Sequence, residues 1–338
     1  MNKLQLTLPL ILCMHMGPVV AQDDPRDYPG FNAFPNEDRE AVARHLSRAR
    51  DFAGDDLMED FFWRCMVSPL DSTMVRGVQH DGLIPATQMF DNFYSVGQNS
   101  VSAHVLETSE GLIVFDALNN ADEAREILIP NMLELGLNPN DIRYVVITHG
   151  HSDHWGGARY LQDTYNARVI SSGIDWDNIA EDASPQGRWA GVAAPIRDIV
   201  VEDGEVITLG DTSLAFYIVP GHSSGTLGTI FPVFDNGIRH MAGFHGGTGG
   251  ARNLEASRLH VESLERWREI TEAAEVDVLI ANHPAHNQAI WRQVLLRYAL
   301  PGDPNPFIMG ANRYQRYFQI MEECQRAFIA RMGGNSEF

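Results

Sequence analysis

The chain alternates short apolar runs with polar, glycine-rich segments from about residue 90 onwards. Most of the runs are only a few residues long and are bounded by glycine, proline, asparagine or aspartate, a pattern typical of β-strands. We therefore predict a strand-rich α/β protein. The predicted strands are residues 93–96, 102–108, 112–115, 143–148, 167–170, 199–201, 205–208, 214–219, 229–233, 239–242 and 276–280.

Helical periodicity appears between and around these strands. Residues 121–135 have an amphipathic pattern that ends at Gly136, a residue that commonly terminates helices. Residues 254–274 form a longer amphipathic segment of the same kind. Further helices are predicted at residues 40–50, 57–66, 286–300 and 311–331.

Residues 173–197 contain two tryptophans among prolines, glycines and charged residues. This composition predicts a loop-rich insertion between strands, of the kind that often covers a site. Trp176 and Trp189 are candidates for stacking on a substrate, although packing on the scaffold explains them equally well.

The N-terminus has the three parts of a secretory signal peptide. Lys3 supplies the positive charge, residues 4–20 are mainly apolar, and Ala21 precedes a polar segment. A membrane anchor is the alternative, but Pro9 and Pro18 disfavour a spanning helix. We therefore expect cleavage after Ala21, a periplasmic or secreted protein, and no membrane attachment after cleavage.

The rest of the chain divides into three predicted segments. Residues 22–85 read as an N-terminal extension that packs on the main domain or over its site. Residues 86–300 contain the regular strands and form that main domain. Residues 301–338 are a C-terminal helical segment.

Charge and cysteine content narrow the possible partners. The chain of 338 residues has a formal net charge of −20, which repels nucleic acids and anionic lipids, so neither is an expected partner. A small-molecule substrate is compatible with this charge. Cys65 and Cys324 remain after cleavage at Ala21, and they either form a disulfide or stay as two buried thiols.

Three histidines and an aspartate lie together in the loop that follows the apolar residues 144–147. His149, His151, Asp153 and His154 bring imidazole nitrogens and a carboxylate to the end of a predicted strand, where α/β proteins place their chemistry. These are the ligand types that zinc accepts when no thiolate is present. A solvated polar loop is the alternative, but the density and order of the four residues favour a metal site.

Other histidines also follow predicted strands. His222 lies in a glycine-rich loop after residues 214–219, and His283 follows residues 276–280. Three separate strand ends thus deliver histidine, and we expect them to converge on one metal site. Asp116 ends another strand and is expected to support the metal loop.

The order of these motifs resembles the metallo-β-lactamase superfamily over residues 88–300. The segment 203–225, which includes Pro220-Gly221-His222, is similar to the subclass that uses only histidine and aspartate ligands. The resemblance implies a four-layer αββα sandwich with two zinc ions at one edge. It implies that His149, His151 and His222 hold the first zinc, and that Asp153, His154 and His283 hold the second. It also implies a hydroxide between the metals, with Asp153 as the catalytic residue that orients it.

The chain also departs from its better-known relatives. The strand at residues 239–242 runs into Gly243-Phe244-His245 without the bridging aspartate of many lactonases and thioesterases. The serines that bind a β-lactam carboxylate are replaced by the glycine-rich residues 246–250. We therefore expect Trp155, Trp189, His245 and Thr248 to shape the substrate site. For His245 the favoured alternative is a loop histidine or one that only supports a ligand.

The predicted function is that of a secreted or periplasmic di-zinc hydrolase. Its expected substrate is a small ester, lactone or amide, with a β-lactam as one candidate. The alternatives are an alkyl sulfatase, for which no cluster of arginines is evident, and a metal-bearing redox protein of the same fold. A non-catalytic binding module is disfavoured because such a protein has no need of six converging ligands.

Overall fold

The structure is a computed structural model that describes residues 34–338. The predicted signal peptide, residues 1–21, lies outside the described residues. Two β-sheets pack face to face, and helices cover the outer face of each sheet. This is the four-layer αββα sandwich that the resemblance implied, and the prediction of the fold is confirmed.

The first sheet has seven strands in sequence order. Neighbours from the first to the fourth strand are antiparallel, whereas those from the fourth to the seventh are parallel. The parallel strands therefore bring their carboxyl ends to the same edge, where the metal loop begins. The strands are β1 Thr87–Phe90, β2 Phe93–Ser95, β3 His104–Thr108, β4 Gly111–Phe115, β5 Ile142–Val146, β6 Arg168–Ser172 and β7 Ile199–Val201.

The second sheet has five strands in the order β12-β11-β10-β9-β8. Its longest ladder joins β10 and β11, from Gly228↔His245 to Asp235↔Ile238. The last strand, β12, lies parallel to β11 and ends just before His283. The strands are β8 Val206–Leu209, β9 Thr212–Ile218, β10 Leu227–Asp235, β11 Ile238–His245 and β12 Val278–Ile280.

Aromatic side chains fill the space between the sheets. The ring of Phe115 from β4 stacks on that of Phe231 from β10, with centroids 5.0 Å apart. Phe93 and Phe244 pack against the same pair. Because all four are buried, this interior fixes the two sheets relative to each other and holds the strand ends of the site in place.

The helices outside the first sheet pack on its other face around Leu128, Trp155 and Leu161. A π-helix, Ala124–Leu128, joins α5 to α6, and a 3₁₀ turn, Pro139–Asp141, leads into β5. The α-helices of this layer are α5 Ala121–Glu123, α6 Ile129–Glu134, α7 Ser152–Trp155, α8 Ala158–Tyr165 and α9 Gly173–Asp182.

The prediction of a loop-rich insertion at residues 173–197 is wrong for its first part, which is helix α9. The helix begins because the Ser172 hydroxyl accepts a hydrogen bond from the Asp175 amide. Trp176 and Ile179 then bury one face of α9 against the sheet. Trp176 also donates its indole N–H to the Ile199 carbonyl, so it supports the scaffold rather than a substrate.

The layer outside the second sheet contains both ends of the described chain. Trp267, Tyr314 and Phe318 form its interior, together with the buried face of the first helix. The N-terminal extension and the C-terminal helical segment therefore pack together in one layer. The long helices are α1 Arg39–Ala53, α10 Leu254–Ala273 and α12 Ala311–Arg331.

Shorter helices complete the chain near the site. A nearly continuous helical stretch consists of α2 Met58–Phe61, the π-helix Phe62–Val67 and α3 Ser68–Leu70, and α4 Ser72–Val78 follows it. After β12 come the 3₁₀ turn Pro284–His286 and α11 Ala289–Arg297. Among residues 34–338, no helix has the length and apolar character needed to cross a bilayer.

Cys65 and Cys324 form a disulfide that joins the Phe62–Val67 π-helix to α12. Of the two possibilities that the sequence left open, the structure has the disulfide. The N-terminal extension is thereby fixed covalently to the outer helical layer.

Candidate metal centre

The metal loop is fixed by Asp116, which follows β4. One carboxylate oxygen accepts the Thr148 amide at 2.8 Å, and the other accepts the Thr148 hydroxyl at 2.8 Å and the His154 Nδ1–H at 2.7 Å. Asp116 is fully buried and has a left-handed φ of 59°, a conformation that aspartate tolerates better than most residues. The supporting role expected of Asp116 is confirmed.

Three histidines from two loops form the first group. His149 Nε2 lies 2.9 Å from His151 Nδ1 and 3.1 Å from His222 Nε2. Gly221 allows this approach because its φ is 137°, and a Cβ there would lie 2.3 Å from the Cβ of His260. The sequence prediction that these three residues converge is confirmed.

The second group contains Asp153, His154 and His283. An oxygen of Asp153 lies 3.2 Å from His154 Nε2 and 3.6 Å from His283 Nε2. The Ser100 carbonyl accepts the His283 Nδ1–H at 2.7 Å, so the Nε2 lone pair is free for a metal. The buried His154 Nε2 lies close to Asp153 but makes no well-aligned hydrogen bond to any group of residues 34–338, and a metal ion between the two would satisfy both.

The two groups share one cleft, since the His149 and His154 rings are 4.1 Å apart. Zinc-bound nitrogens lie about 2.0–2.1 Å from the ion, so the nitrogens of one tetrahedral site are separated by roughly 3.3 Å. The separations in the first group are close to that value. Histidine and aspartate donors, an orphaned imidazole nitrogen and this spacing all fit zinc.

Protonation favours the ligand form of the first group. Burial, followed by the charge of neighbouring imidazoles, lowers the pKa of His149 and His222 well below the usual range. Burial also lowers the pKa of His151. These rings are therefore neutral at neutral pH, as metal ligation requires.

The second group holds a proton when no metal is bound. Burial opposes the charged ring, but the carboxylates of Asp153 and Asp116 raise the pKa of His154 to about 10. Burial likewise opposes ionisation of Asp153, yet the neighbouring charge of His154 and then His283 holds its pKa well below the usual range. A metal ion at this group would take the place of the His154 proton.

The metal groups lie at the base of a cleft of about 390 Å³. Its walls carry two cations, Arg188 from the segment after α9 and Arg252 from the loop before α10. The sequence analysis missed this pair, because the two arginines are far apart along the chain. Trp63 and Gln79 also line the cleft, and both belong to the segment predicted as an extension that packs on the main domain or over its site.

Two of the predicted substrate contacts are buried in the scaffold. Trp155 is fully buried, and its indole N–H donates to the Gly150 carbonyl at 2.8 Å. Trp155 therefore stabilises the metal loop from its buried side and does not narrow the pocket. The Thr248 hydroxyl lies 2.9 Å from His286 Nδ1, and its carbonyl accepts a hydrogen bond from Arg64, so neither group of Thr248 is available to a substrate.

The predictions for His245 and Trp189 are also wrong. His245 is fully buried, with its ring 5.7 Å from those of Trp267 and Phe318. It points into the outer helical layer because β11 turns this side chain away from the cleft. Trp189 packs against the helices of the first layer, and its neighbour Arg188 occupies the cleft wall in its place.

A family model for the metallo-β-lactamase superfamily matches residues 96–232, which include five of the six candidate ligands. Residues 96–232 are thus a domain of the metallo-β-lactamase superfamily. This membership agrees with the resemblance inferred from the motifs and places the chain among metal-dependent hydrolases. The sixth candidate ligand, His283, lies beyond the matched residues and completes the second group.

Solved structures of subclass B3 metallo-β-lactamases have the same fold. BJP-1 of Bradyrhizobium japonicum is 25% identical with a TM-score of 0.62, over 73% of this chain and 94% of that one. FEZ-1 of Legionella gormanii has a TM-score of 0.65 at 20% identity, over 75% of this chain and 99% of that one. At that identity the likeness to FEZ-1 concerns the fold alone.

Among curated proteins, the chain is similar to hydroxyacylglutathione hydrolases. It is 26% identical to that of Maricaulis maris over 180 residues, which is 53% of this chain and 58% of the relative. It is 32% identical to that of Rhodopseudomonas palustris over 92 residues, 27% of this chain and 29% of the relative. The chain thus spans little more than half of the first relative and less than a third of the second.

Proposed function

We propose that the protein is a hydrolase that binds two zinc ions and cleaves a small ester, lactone or amide. The observation that carries this proposal is the pair of facing ligand groups, in which the buried His154 Nε2 faces the Asp153 carboxylate at 3.2 Å. When bound, zinc lowers the pKa of a coordinated water to about 7 and polarises a substrate carbonyl.

The residues of the chain would divide the work. His149, His151 and His222 would hold the first ion, and Asp153, His154 and His283 the second. Because Asp153 is the one carboxylate among the six ligands, it is also our candidate for the group that orients the attacking water. Asp116 and the Ser100 carbonyl keep Nδ1 of His154 and His283 protonated and so direct Nε2 inwards.

A β-lactam is one candidate substrate, supported by the similarity to BJP-1. The similarity to hydroxyacylglutathione hydrolases supports a thioester, but no carboxylate follows β11, where many such relatives carry a bridging aspartate. An alkyl sulfate is the second class of substrate, because Arg188 and Arg252 both line the cleft and guanidinium groups suit an anionic oxygen cluster. A redox role remains the alternative from another class.

We also propose that the protein acts in the periplasm or outside the cell. The signal-like pattern of residues 1–21 and the disulfide between Cys65 and Cys324 support this location. Mass spectrometry of protein recovered from the source cells would test it. An N-terminus at Gln22 is expected, and retention of Met1 in a cytosolic fraction would contradict the proposal.

The test of function is a substrate screen combined with metal analysis of the same sample. The panel contains a chromogenic cephalosporin, an aryl ester, a lactone, a hydroxyacylglutathione and an alkyl sulfate. We expect about two zinc ions per chain and hydrolysis that a chelator abolishes and zinc restores. A folded protein that binds no metal would contradict the proposal, and visible absorbance from bound iron would favour the redox alternative.

Asp153→Ala should remove a zinc ligand and abolish hydrolysis while the fold persists. Asp163→Ala is the matched control, because Asp163 is an exposed carboxylate that pairs only with Arg159 on helix α8. Equal rates for the two variants would argue against the metal mechanism.

A further inference from the structure

A second depression lies beside the metal cleft, with a volume of about 820 Å³. We call it the apolar groove and define it by its large hydrophobic side chains. Its size is within the range of sites that take small organic ligands. The side chains are Phe62, Met74, Val78, Leu83, Ile290 and Trp291.

Several of these side chains are unusually open to water. Phe62 is 51% exposed, Trp291 is 69% exposed and Leu83 is 78% exposed. Contiguous apolar surface of this kind commonly marks a binding site, because covering it removes hydrocarbon from water. No lysine or arginine lines the groove among the described residues, whereas Glu59 and Asp60 do. An anionic group is therefore disfavoured there, and an uncharged chain is favoured.

The groove adjoins the metal cleft. Trp63 lines both, and its buried indole N–H has no hydrogen-bond partner among residues 34–338. Helix α4 separates the two spaces, since Val75 and Gln79 line the cleft whereas Met74 and Val78 line the groove.

The groove also adjoins the second metal group along the chain. Pro284 and Ala285 line it directly after His283. Asn99 also lines the groove, and it precedes Ser100, whose carbonyl accepts the His283 Nδ1–H. Two segments that line the groove therefore lead directly to His283 or to its hydrogen-bond partner.

We propose that the apolar groove binds the hydrocarbon chain of the substrate, whose scissile group reaches the metal cleft past Trp63. The substrate class is then an ester or amide of a long-chain acyl group, with any anionic end beside Arg188 and Arg252. In the reaction, the oxygen of water bonds to the acyl carbon, the bond from that carbon to the leaving oxygen or nitrogen breaks, and the leaving atom takes a proton from the water. The inference rests on the proposed hydrolytic function.

Binding can be measured without catalysis. Isothermal titration calorimetry of the full chain, metal-free and zinc-loaded, would use dodecanoate and butyrate as probes. Because each buried methylene contributes about 0.8 kcal/mol, affinity should rise about fourfold per methylene until the groove is filled. Equal affinity for the two probes, or no binding of dodecanoate, would overturn the assignment of the groove.

Three variants connect binding to residues. Trp291→Gln removes an exposed apolar wall, and Gly77→Phe adds bulk at a groove residue where a Cβ would meet nothing within 4 Å. Leu295→Gln is the matched control, because Leu295 is 63% exposed on the same helix as Trp291 but does not line the groove. The two groove variants should weaken dodecanoate binding at least tenfold, and the control should not.

Hydrolysis separates this inference from the proposed function. For a series of acyl esters, kcat/KM of the zinc-loaded protein should rise with chain length, and both groove variants should flatten that rise. Hydrolysis without chain-length dependence would overturn the inference and leave the proposed function intact. Chain-dependent binding without hydrolysis of any ester would overturn the proposed function. Self-association that Trp291→Gln abolishes, together with no dodecanoate binding, would instead make the groove a contact between copies and reject the inference.

Discussion

Asp116 determines at the scale of a single residue how the second metal group is built. Both of its carboxylate oxygens accept hydrogen bonds, from the Thr148 amide and from the Thr148 hydroxyl and His154 Nδ1–H. The metal loop and one of its ligands are therefore oriented by a side chain from another strand. Such supporting groups commonly affect metal affinity almost as strongly as the ligands do.

Asp116→Asn should lower zinc affinity about 10- to 100-fold. Both carboxylate oxygens of Asp116 accept hydrogen bonds, whereas an asparagine side chain has one oxygen. Its NH₂ group would therefore face one of the donors that Asp116 now accepts. The left-handed backbone conformation at this position tolerates asparagine well. Zinc affinity measured by competition with a chromogenic chelator checks this expectation. Asp277→Asn is the matched control. Asp277 makes the same kind of hydrogen bond, 2.6 Å long, to His240 Nδ1, and this pair lies outside the cleft. Unchanged affinity in Asp116→Asn would contradict the supporting role.

Asp60 shows how a buried carboxyl group couples stability to pH. Burial raises its pKa to about 6, against the opposing charge of Arg64 and then Arg292. The folded protein therefore binds this proton more tightly than the unfolded chain does. The stabilisation is fully present below the unfolded pKa near 4 and is lost as the pH rises through about 6.

Asp60→Asn should remove this loss, because the amide stays uncharged at every pH. The difference in the free energy of unfolding, variant minus parent, should therefore increase by about 2 kcal/mol between pH 4 and pH 7.5. Urea unfolding at these two pH values gives the comparison. Parallel stability profiles for the two proteins would show that Asp60 does not titrate in this range.

At the scale of elements, most strands and the candidate metal ligands could be predicted because their signals are local. The ligands of the metal loop lie within one short segment, and His222 and His283 each follow an apolar run. Helix α9 was not predicted because the sequence evidence for it is weak. It consists of the Ser172 cap and one short apolar face, in a segment that also contains glycine and proline. The substrate contacts were wrong because the direction of His245 at the end of β11 depends on the packing of Trp267 and Phe318.

The loop between β9 and β10 depends on Gly221. Gly221→Ala would add both a strained positive φ and a Cβ 2.3 Å from that of His260. The His222 loop must then move, so we expect loss of zinc bound at the first group. The free energy of unfolding should fall by more than the roughly 1–2 kcal/mol that backbone strain alone would cost. Zinc content and thermal unfolding measure the two effects.

Gly204→Ala is the control that separates backbone strain from the steric clash with His260. Gly204 also has a positive φ, 80°, but a Cβ there would meet no described atom within 4 Å. This control should lose a similar amount of backbone stability and keep its zinc. If both variants kept zinc equally well, the contact with His260 would not position His222.

At the scale of the whole molecule, the N-terminal extension is part of the site as well as part of the outer layer. Helix α1 packs on α12, and Arg64 donates to the Thr248 and His286 carbonyls beside the cleft. The sequence predicted an extension on the main domain or over its site, but it could not show how the extension is attached, because Cys65 and Cys324 are separated by 259 residues. That attachment requires the complete fold.

Loss of this disulfide should therefore affect both stability and the site. In the unfolded chain it closes a very long loop, so Cys65→Ser with Cys324→Ser should lower the free energy of unfolding by roughly 3–5 kcal/mol. Because Arg64 is the neighbour of Cys65, the extension should also open more readily, and amide exchange should accelerate in residues 58–79 more than in the central strands. Hydrogen exchange measured by mass spectrometry tests this, and the parent protein treated with a reductant should match the double variant. Uniform acceleration over the whole chain would mean that the disulfide acts only on global stability and does not hold the extension over the metal cleft.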